Sequence, residues 1–107
     1  MLNSKIETYK LLVSQCREFE LKGKNMLYTS ANGYMFSQIN KEGELGIRFP
    51  KDIQEKYMQE FNTSNFTSYG ATMKGYIKIP DSMWDDHIRI VQLLEESYQY
   101  VMSLDPK

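Results

Sequence analysis

The predicted fold depends on one stretch, Tyr69-Gly70-Ala71-Thr72-Met73-Lys74-Gly75-Tyr76-Ile77-Lys78-Ile79-Pro80. Its opening residues indicate a tight turn, and strict alternation begins at Met73. One side of the alternation holds Met73, Gly75, Ile77 and Ile79, and the other holds Lys74, Tyr76 and Lys78. A period of two with one apolar face predicts a half-buried strand. Pro80 then ends the strand and leads into the last helix.

Upstream of this strand, tight turns join three further predicted strands. Asn32-Gly33, a strong hairpin signal, separates a short strand over 25–29 from a strand over 34–39. The turn Lys41-Glu42-Gly43 leads to an alternating strand over 45–49, with Leu45, Ile47 and Phe49 directed inward. Strands joined by such short turns must be antiparallel, because parallel neighbours need a long crossover. A strand over 66–69 pairs with the strand that begins at Met73.

Three amphipathic helices are predicted around these strands. Ser4 and Glu7 have capping-box spacing at the start of helix 1, which Lys22-Gly23-Lys24 ends. Helix 2 starts at Pro50, and helix 3 starts at Ser82, which has capping-box spacing with Asp85. The apolar stripes are Ile6, Tyr9, Leu12, Val13, Cys16 and Phe19; Ile53, Tyr57, Met58 and Phe61; and Trp84, Ile88, Val91, Leu94, Tyr98, Val101 and Met102.

The element order is therefore α-β-β-β-α-β-β-α, which predicts a two-layer α+β fold with a five-stranded antiparallel sheet and three helices. The length of 107 residues predicts one domain over 1–107. A formal net charge of −1 exerts no overall attraction on nucleic acid or on an anionic membrane. No span approaches the ~18 consecutive apolar residues of a membrane helix. With one cysteine and no leader-like segment, we expect a cytoplasmic protein and no membrane partner.

No residue set in the sequence predicts catalysis or metal binding. Cys16 and His87 are the only nucleophile–base pair, and Cys16 lies on an apolar helix stripe, where burial makes a thiol inert. Asp85, Asp86 and His87 are adjacent and fan out around a helix, so they do not converge on one metal ion. No phosphate-binding glycine loop is present. We expect no enzyme activity, no metal and no cofactor.

The residues Arg48, Lys74, Tyr76 and Lys78 form the candidate partner-binding site, because alternation places them together on the outer face of the sheet. A basic face with aromatic side chains is typical of some single-strand nucleic-acid binders. An ordinary solvated face has the same composition, and the whole chain is slightly acidic. The sequence therefore favours a module that contacts an unidentified protein, with a nucleic-acid-binding domain as the alternative. An uncovered sheet edge would serve as a docking site or as the seam of a homodimer.

Three blocks of the chain resemble the family named for the N-terminal domain of the bacterial competence regulator TfoX, also called Sxy. The first block runs from Gly33-Tyr34-Met35-Phe36 to Gly43-Glu44-Leu45-Gly46-Ile47-Arg48-Phe49. The second is Met73-Lys74-Gly75-Tyr76-Ile77-Lys78-Ile79-Pro80, and the third is Tyr100-Val101-Met102-Ser103-Leu104-Asp105-Pro106-Lys107. The chain departs from the family at Met26-Leu27-Tyr28-Thr29, where members have Met-Phe-Gly-Gly.

The resemblance implies the secretion-chaperone-like arrangement of a five-stranded antiparallel sheet with three helices. It also implies a regulatory or protein-interaction role, with no catalytic residues and no cofactor. Full-length competence regulators carry a second, C-terminal domain, so a transcriptional role does not carry over to this stretch of chain.

Overall fold

The structure is a computed structural model that describes residues 2–107, with side chains from residue 4 onward. It confirms the α+β class and the order of helices and strands. The helices are α1 (Leu2–Ser14), α2 (Lys51–Glu60) and α3 (His87–Met102). The strands are β1 (Tyr28–Ala31), β2 (Tyr34–Ile39), β3 (Leu45–Arg48), β4 (Asn65–Ser68) and β5 (Ala71–Lys78).

The five strands form one antiparallel sheet in the order β1-β2-β3-β5-β4. The strand of the quoted stretch, β5, therefore lies inside the sheet, between β3 and the edge strand β4. The predicted hairpin turn at Asn32-Gly33 is confirmed, with φ of 57° and 85°. The turn expected just before Met73 lies at Tyr69-Gly70, with φ of 54° and 77°, so β5 begins at Ala71, two residues earlier than predicted. Positive φ at both central residues is the type I′ geometry that suits the twist of two paired strands.

The main core lies between the sheet and the helices. Ile47 and Ile77 are register partners on neighbouring strands, and both are 0% exposed. Leu45 and Phe49 are also buried, which confirms the predicted inward face of β3. Helix α3 packs against β1, β2 and β3, and α2 packs against β5. The helices thus cover the face on which Ile47 and Ile77 lie.

Helix α1 ends at Ser14, so the prediction that it continues to Gly23 is wrong. The N–H of Gln15 donates to the carbonyl of Leu12 over 3.2 Å, a short-range bond of the kind that tightens and ends a last turn. Phe19 lies beyond the helix yet is only 7% exposed. The buried apolar residues therefore keep a helical spacing beyond the end of the helix, because the loop after α1 also covers the core.

Strand β1 starts at Tyr28, three residues later than predicted. The chain first turns at Gly23, whose φ is 92°, and Lys22 and Tyr28 exchange backbone hydrogen bonds of 2.8 and 3.0 Å. The glycine thus marks a turn that pairs the loop with β1 rather than a helix end.

The predicted start of α3 is also corrected. Residues Asp81–Met83 form a 3₁₀ turn, and α3 begins at His87 with Asp86 as its N-cap. An oxygen of the Asp86 carboxylate accepts the N–H of Arg89 over 3.3 Å. The capping box expected at Ser82 is therefore absent.

The buried stripe of α3 differs from the predicted one. Ile88 is 75% exposed and Met102 is 45% exposed, so the prediction that both belong to the buried stripe is wrong. The side chains that α3 buries are Ile90, Leu93, Leu94, Ser97 and Val101. They follow the i, i+3, i+4, i+7 spacing of one helix face. Apolar residues occur on more than one face of α3, so spacing alone did not identify the buried face.

The sheet buries a second, smaller cluster on the face turned away from the helices. Gly46 lies between Leu45 and Ile47, so its Cα–H faces away from the main core. The ring of Phe66 occupies that position, and a Cβ on Gly46 would meet the ring at 2.3 Å. Phe66 is 0% exposed, and Tyr76 is 6% exposed with its ring 6.3 Å from that of Phe66. Strand β4 therefore covers part of the face that the sequence left open to a partner.

Candidate functional site

The structure buries Tyr76, one of the four residues predicted to bind a partner. Its hydroxyl donates to the carbonyl of Met35 over 2.7 Å. Burial raises the pKa of Tyr76 to about 12, partly offset by the positive charge of Arg48. The expectation that Tyr76 offers an accessible ring is therefore wrong. Alternation correctly turned the side chain away from the helices, but Phe66 closes that face over it.

Lys78 lies apart from the other predicted basic residues. Its ammonium is 3.6 Å from a carboxylate oxygen of Glu44. It lines a depression that also includes Glu44 and Asp81. The positive charge of Lys78 is thus partly balanced by acidic neighbours.

Arg48 and Lys74 line one open pocket of about 730 Å³, here called the basic pocket. Five elements meet there: the end of β3, the first two turns of α2, the start of β4, the middle of β5 and the end of α3. The lining side chains that carry polar atoms are Arg48, Lys51, Gln54, Asn65, Thr72, Lys74 and Tyr100. Phe49 and Gly75 complete the wall.

The basic pocket contains three cationic side chains and no acidic one. Among the residues that the structure describes, no ion pair joins Arg48, Lys51 or Lys74 to a carboxylate. Elsewhere, basic side chains such as Lys5 and Arg89 lie within 2.5 and 3.8 Å of a carboxylate oxygen. Within the described part of the chain, no carboxylate in the lining and no close ion pair offsets the charge of the pocket, which favours an anionic ligand.

Two aromatic rings hold the side chain of Arg48. The guanidinium carbon lies 5.4 Å from the ring centroid of Tyr34 and 5.7 Å from that of Tyr100, within cation–π range. Tyr34 is itself fixed, because its hydroxyl donates to the carbonyl of Asp105 over 2.7 Å. Arg48 is only partly exposed, whereas Lys51 and Lys74 are exposed. The pocket thus combines one guanidinium held in position by two rings with two ammonium groups on flexible lysine side chains.

Neutral groups add hydrogen-bonding capacity to the basic pocket. The side-chain nitrogen of Gln54 donates to the side-chain oxygen of Asn65 over 3.1 Å. This leaves the amide nitrogen of Asn65 as a further donor, and the hydroxyl of Thr72 is another. Both groups suit an oxygen-rich anion.

Only two members of this pocket, Arg48 and Lys74, are among the site residues predicted from the sequence. Lys51, Gln54 and Tyr100 were missed, since they lie on helices whose exposed residues carry no pattern pointing to the sheet. The one available signal was Lys51 directly after Pro50, which follows the strand that ends with Arg48.

The Cys16 and His87 side chains are not brought together. Cys16 is 5% exposed, and its thiol donates to the carbonyl of Leu12 over 3.6 Å. Burial, with smaller contributions from two glutamates, raises its pKa to about 11. Cys16 lines a depression with Arg17 and Glu20, whereas His87 lines another with Lys5 and Trp84.

Across the described residues, no group of three or more histidine, cysteine, aspartate or glutamate side chains is arranged to hold a metal ion. None of the helices within 2–107 is both long and apolar enough to cross a bilayer.

No protein-family model matches the chain, and no curated protein matches it significantly. The resemblance to the TfoX N-terminal domain family therefore stays a prediction that rests on the three quoted blocks.

Proposed function

We propose that this chain is a non-enzymatic interaction module that docks an acidic segment of a partner protein in the basic pocket. The observation that carries the proposal is the acid-free lining, in which Arg48, Lys51 and Lys74 face one cavity without an ion-pair partner. Complementary charge accelerates the encounter of two proteins and determines the register of docking. A regulatory role, as the TfoX resemblance implies, would act through this contact.

The observations support an acidic protein segment over the alternative, a nucleic acid. Binders of single strands combine a basic groove along the backbone with rings on which bases stack. Here Tyr76 is buried, and the rings of Tyr34 and Tyr100 already contact Arg48. The overall charge is −1, and Lys78 is paired with Glu44. The positive surface is therefore a compact patch rather than an extended groove that could follow a nucleic-acid backbone.

The test uses fluorescence anisotropy with labelled pools of Asp- and Glu-rich peptides. We expect the wild-type chain to bind and the double variant Lys51→Glu/Lys74→Glu to bind at least about tenfold more weakly, because ~1.4 kcal/mol of lost interaction is tenfold in affinity. The matched control is Lys24→Glu/Lys41→Glu, which makes the same charge change at two exposed lysines outside the pocket. The control should bind like the wild type.

Two results would overturn the proposal. Equal losses in the pocket variant and the control would show a non-specific charge effect, and absence of binding by the wild type would remove the function altogether. Labelled single-stranded DNA and RNA at two salt concentrations test the alternative. Tighter binding to them than to the peptides, with a steep salt slope, would favour the nucleic-acid function.

A further inference from the structure

The number of positive charges in the basic pocket bears on the kind of anion that it accepts. Arg48, Lys51 and Lys74 bring three positive charges to one cavity. A carboxylate carries one negative charge and two oxygens, so it would leave most of this charge unbalanced. A phosphate monoester carries about −1.5 to −2 at pH 7 and three strong acceptor oxygens. Its charge and oxygen count match the pocket better.

The geometry of Arg48 suits an oxyanion. A guanidinium offers parallel N–H donors that bind two oxygens of a phosphate or a carboxylate at once, whereas lysine binds as a point charge. The rings of Tyr34 and Tyr100, at 5.4 and 5.7 Å, restrict the guanidinium before any ligand arrives. A donor that is already positioned loses less entropy on binding. The hydroxyl of Thr72 and the amide of Asn65 provide neutral donors in the same lining.

The size and openness of the pocket indicate how the phosphate is presented. A volume of about 730 Å³ is in the range of sites that hold a small organic ligand rather than a bare ion. Exposed Lys51 and Lys74 leave the pocket accessible from solvent. A phosphorylated side chain with its flanking peptide would fill such a space.

We infer that the basic pocket binds a phosphorylated side chain of a partner peptide in preference to a carboxylate side chain. This inference rests on the proposed function, since it names the group that the docked segment carries. Arg48 binds two phosphate oxygens, and Lys51 and Lys74 balance the remaining charge.

The experiment compares labelled peptide pools that are degenerate except at one central position, which holds phosphoserine, phosphothreonine, phosphotyrosine, glutamate or serine. We expect at least one phosphorylated pool to bind at least about tenfold more tightly than the glutamate pool. We expect Arg48→Lys to weaken that binding several-fold. Lysine preserves the positive charge but lacks the parallel N–H donors of the guanidinium, so this variant tests the effect of donor geometry at constant charge.

A pH series provides a second readout. The charged groups facing the ligand are Arg48 on β3, Lys51 on α2 and Lys74 on β5, with Tyr100 on α3, and no histidine or carboxylate lines the pocket. A phosphate monoester loses its second proton near pH 6. Binding of the phosphorylated pool should therefore strengthen from pH 5.5 to 7.5, while glutamate-pool binding stays level.

The outcomes separate this inference from the proposed function. Equal affinity for glutamate and phosphorylated pools overturns the inference and leaves acidic docking intact, whereas no binding of any acidic pool overturns both. Competition by inorganic phosphate at the same concentration as the peptide would show a site for free phosphate and overturn the peptide assignment. Tighter binding to vesicles containing phosphoinositides than to any peptide pool would do the same. Circular dichroism of each variant establishes that it is folded.

Discussion

The ring of Phe66 lies against Gly46, so that a β-carbon at Gly46 would stand 2.3 Å from two ring carbons. This contact joins the edge strand β4 to β3 across the intervening strand β5. Phe66 is fully buried, so protein atoms surround the ring and oppose its displacement. The contact explains why position 46 holds the smallest residue although its φ is not positive.

Gly46→Ala should destabilise the protein by about 1–3 kcal/mol, the usual cost of overpacking a buried site. Phe66→Leu should also destabilise it, but in that background the cost of Gly46→Ala should fall, because the smaller side chain leaves room for the new methyl group. Urea unfolding of the wild type, both single variants and the double variant measures the coupling. Simple additivity would contradict a direct contact.

The two isoleucines near the start of α3 should respond differently to truncation. Ile90 is 0% exposed, so Ile90→Ala should cost about 2–5 kcal/mol. Ile88 is 75% exposed, and Ile88→Ala should change stability by less than about 0.5 kcal/mol. Denaturant midpoints measured side by side test which face of α3 is buried. A large loss of stability in Ile88→Ala would show that Ile88 is buried, as the sequence predicted.

Asn32 combines a turn conformation with a contact to the end of α3. Its φ is 57°, and its amide nitrogen donates to the carbonyls of Val101 and Leu104 over 2.9 and 2.8 Å. Asn32→Gly should lose only the hydrogen bonds, at about 0.5–1.5 kcal/mol each. Asn32→Ala should lose a further ~1 kcal/mol, because alanine strains in a left-handed conformation. Thermal unfolding ranks the variants, and equal melting temperatures for Gly and Ala would contradict the turn geometry.

Tyr76 should make the stability of the protein depend on alkaline pH. Its pKa is raised by burial from 10.0 to about 12, so the unfolded chain loses the proton first. The contribution of protonated Tyr76 to the free energy of unfolding is therefore fully present below pH 10 and is lost as the pH rises through about 12. At pH 8, Tyr76→Phe should cost about 0.5–1.5 kcal/mol through the lost bond to Met35. Urea unfolding at pH 8 and at pH 10–11.5 should show that the difference in unfolding free energy between the wild type and Tyr76→Phe becomes smaller as the pH rises. A difference that stays constant would contradict the raised pKa of Tyr76.

Cys16 should react slowly with thiol reagents in the folded protein. The thiolate is the reactive form, and burial raises the pKa from 9.0 to about 11. At pH 8 this lowers the thiolate fraction by about 100-fold, apart from any steric protection. Labelling with a disulfide reagent that yields a coloured thiolate, with and without urea, measures the difference. Comparable rates in both conditions would show that Cys16 is accessible.

The sequence by itself determined the class of fold and the order of its elements. The alternation in β5 and β3 encodes which side chains share a face, as the paired burial of Ile47 and Ile77 confirms. Asn32-Gly33 determines a hairpin because few other residue pairs adopt two successive positive φ angles. These signals are local, since they depend on the conformational preferences of neighbouring residues.

The tertiary structure alone decided the extent of α1, the buried face of α3 and the burial of Tyr76. A helix ends where a further turn would no longer gain stability by packing against the core. The apolar spacing continues past Ser14, where α1 ends, because a loop can bury Phe19 as well as a helix can. Alternation turns Tyr76 away from the helices, but only the position of Phe66 on a neighbouring strand determines whether water reaches it.

The basic pocket is also a product of tertiary structure. Arg48 and Lys74 lie on adjacent strands, whereas Lys51 and Tyr100 lie on two different helices and are 49 residues apart in the chain. Local sequence patterns carry no information about which exposed side chains of distant elements converge. Packing of α2 and α3 against the sheet brings those charges together, because burying their apolar faces determines where their exposed residues lie.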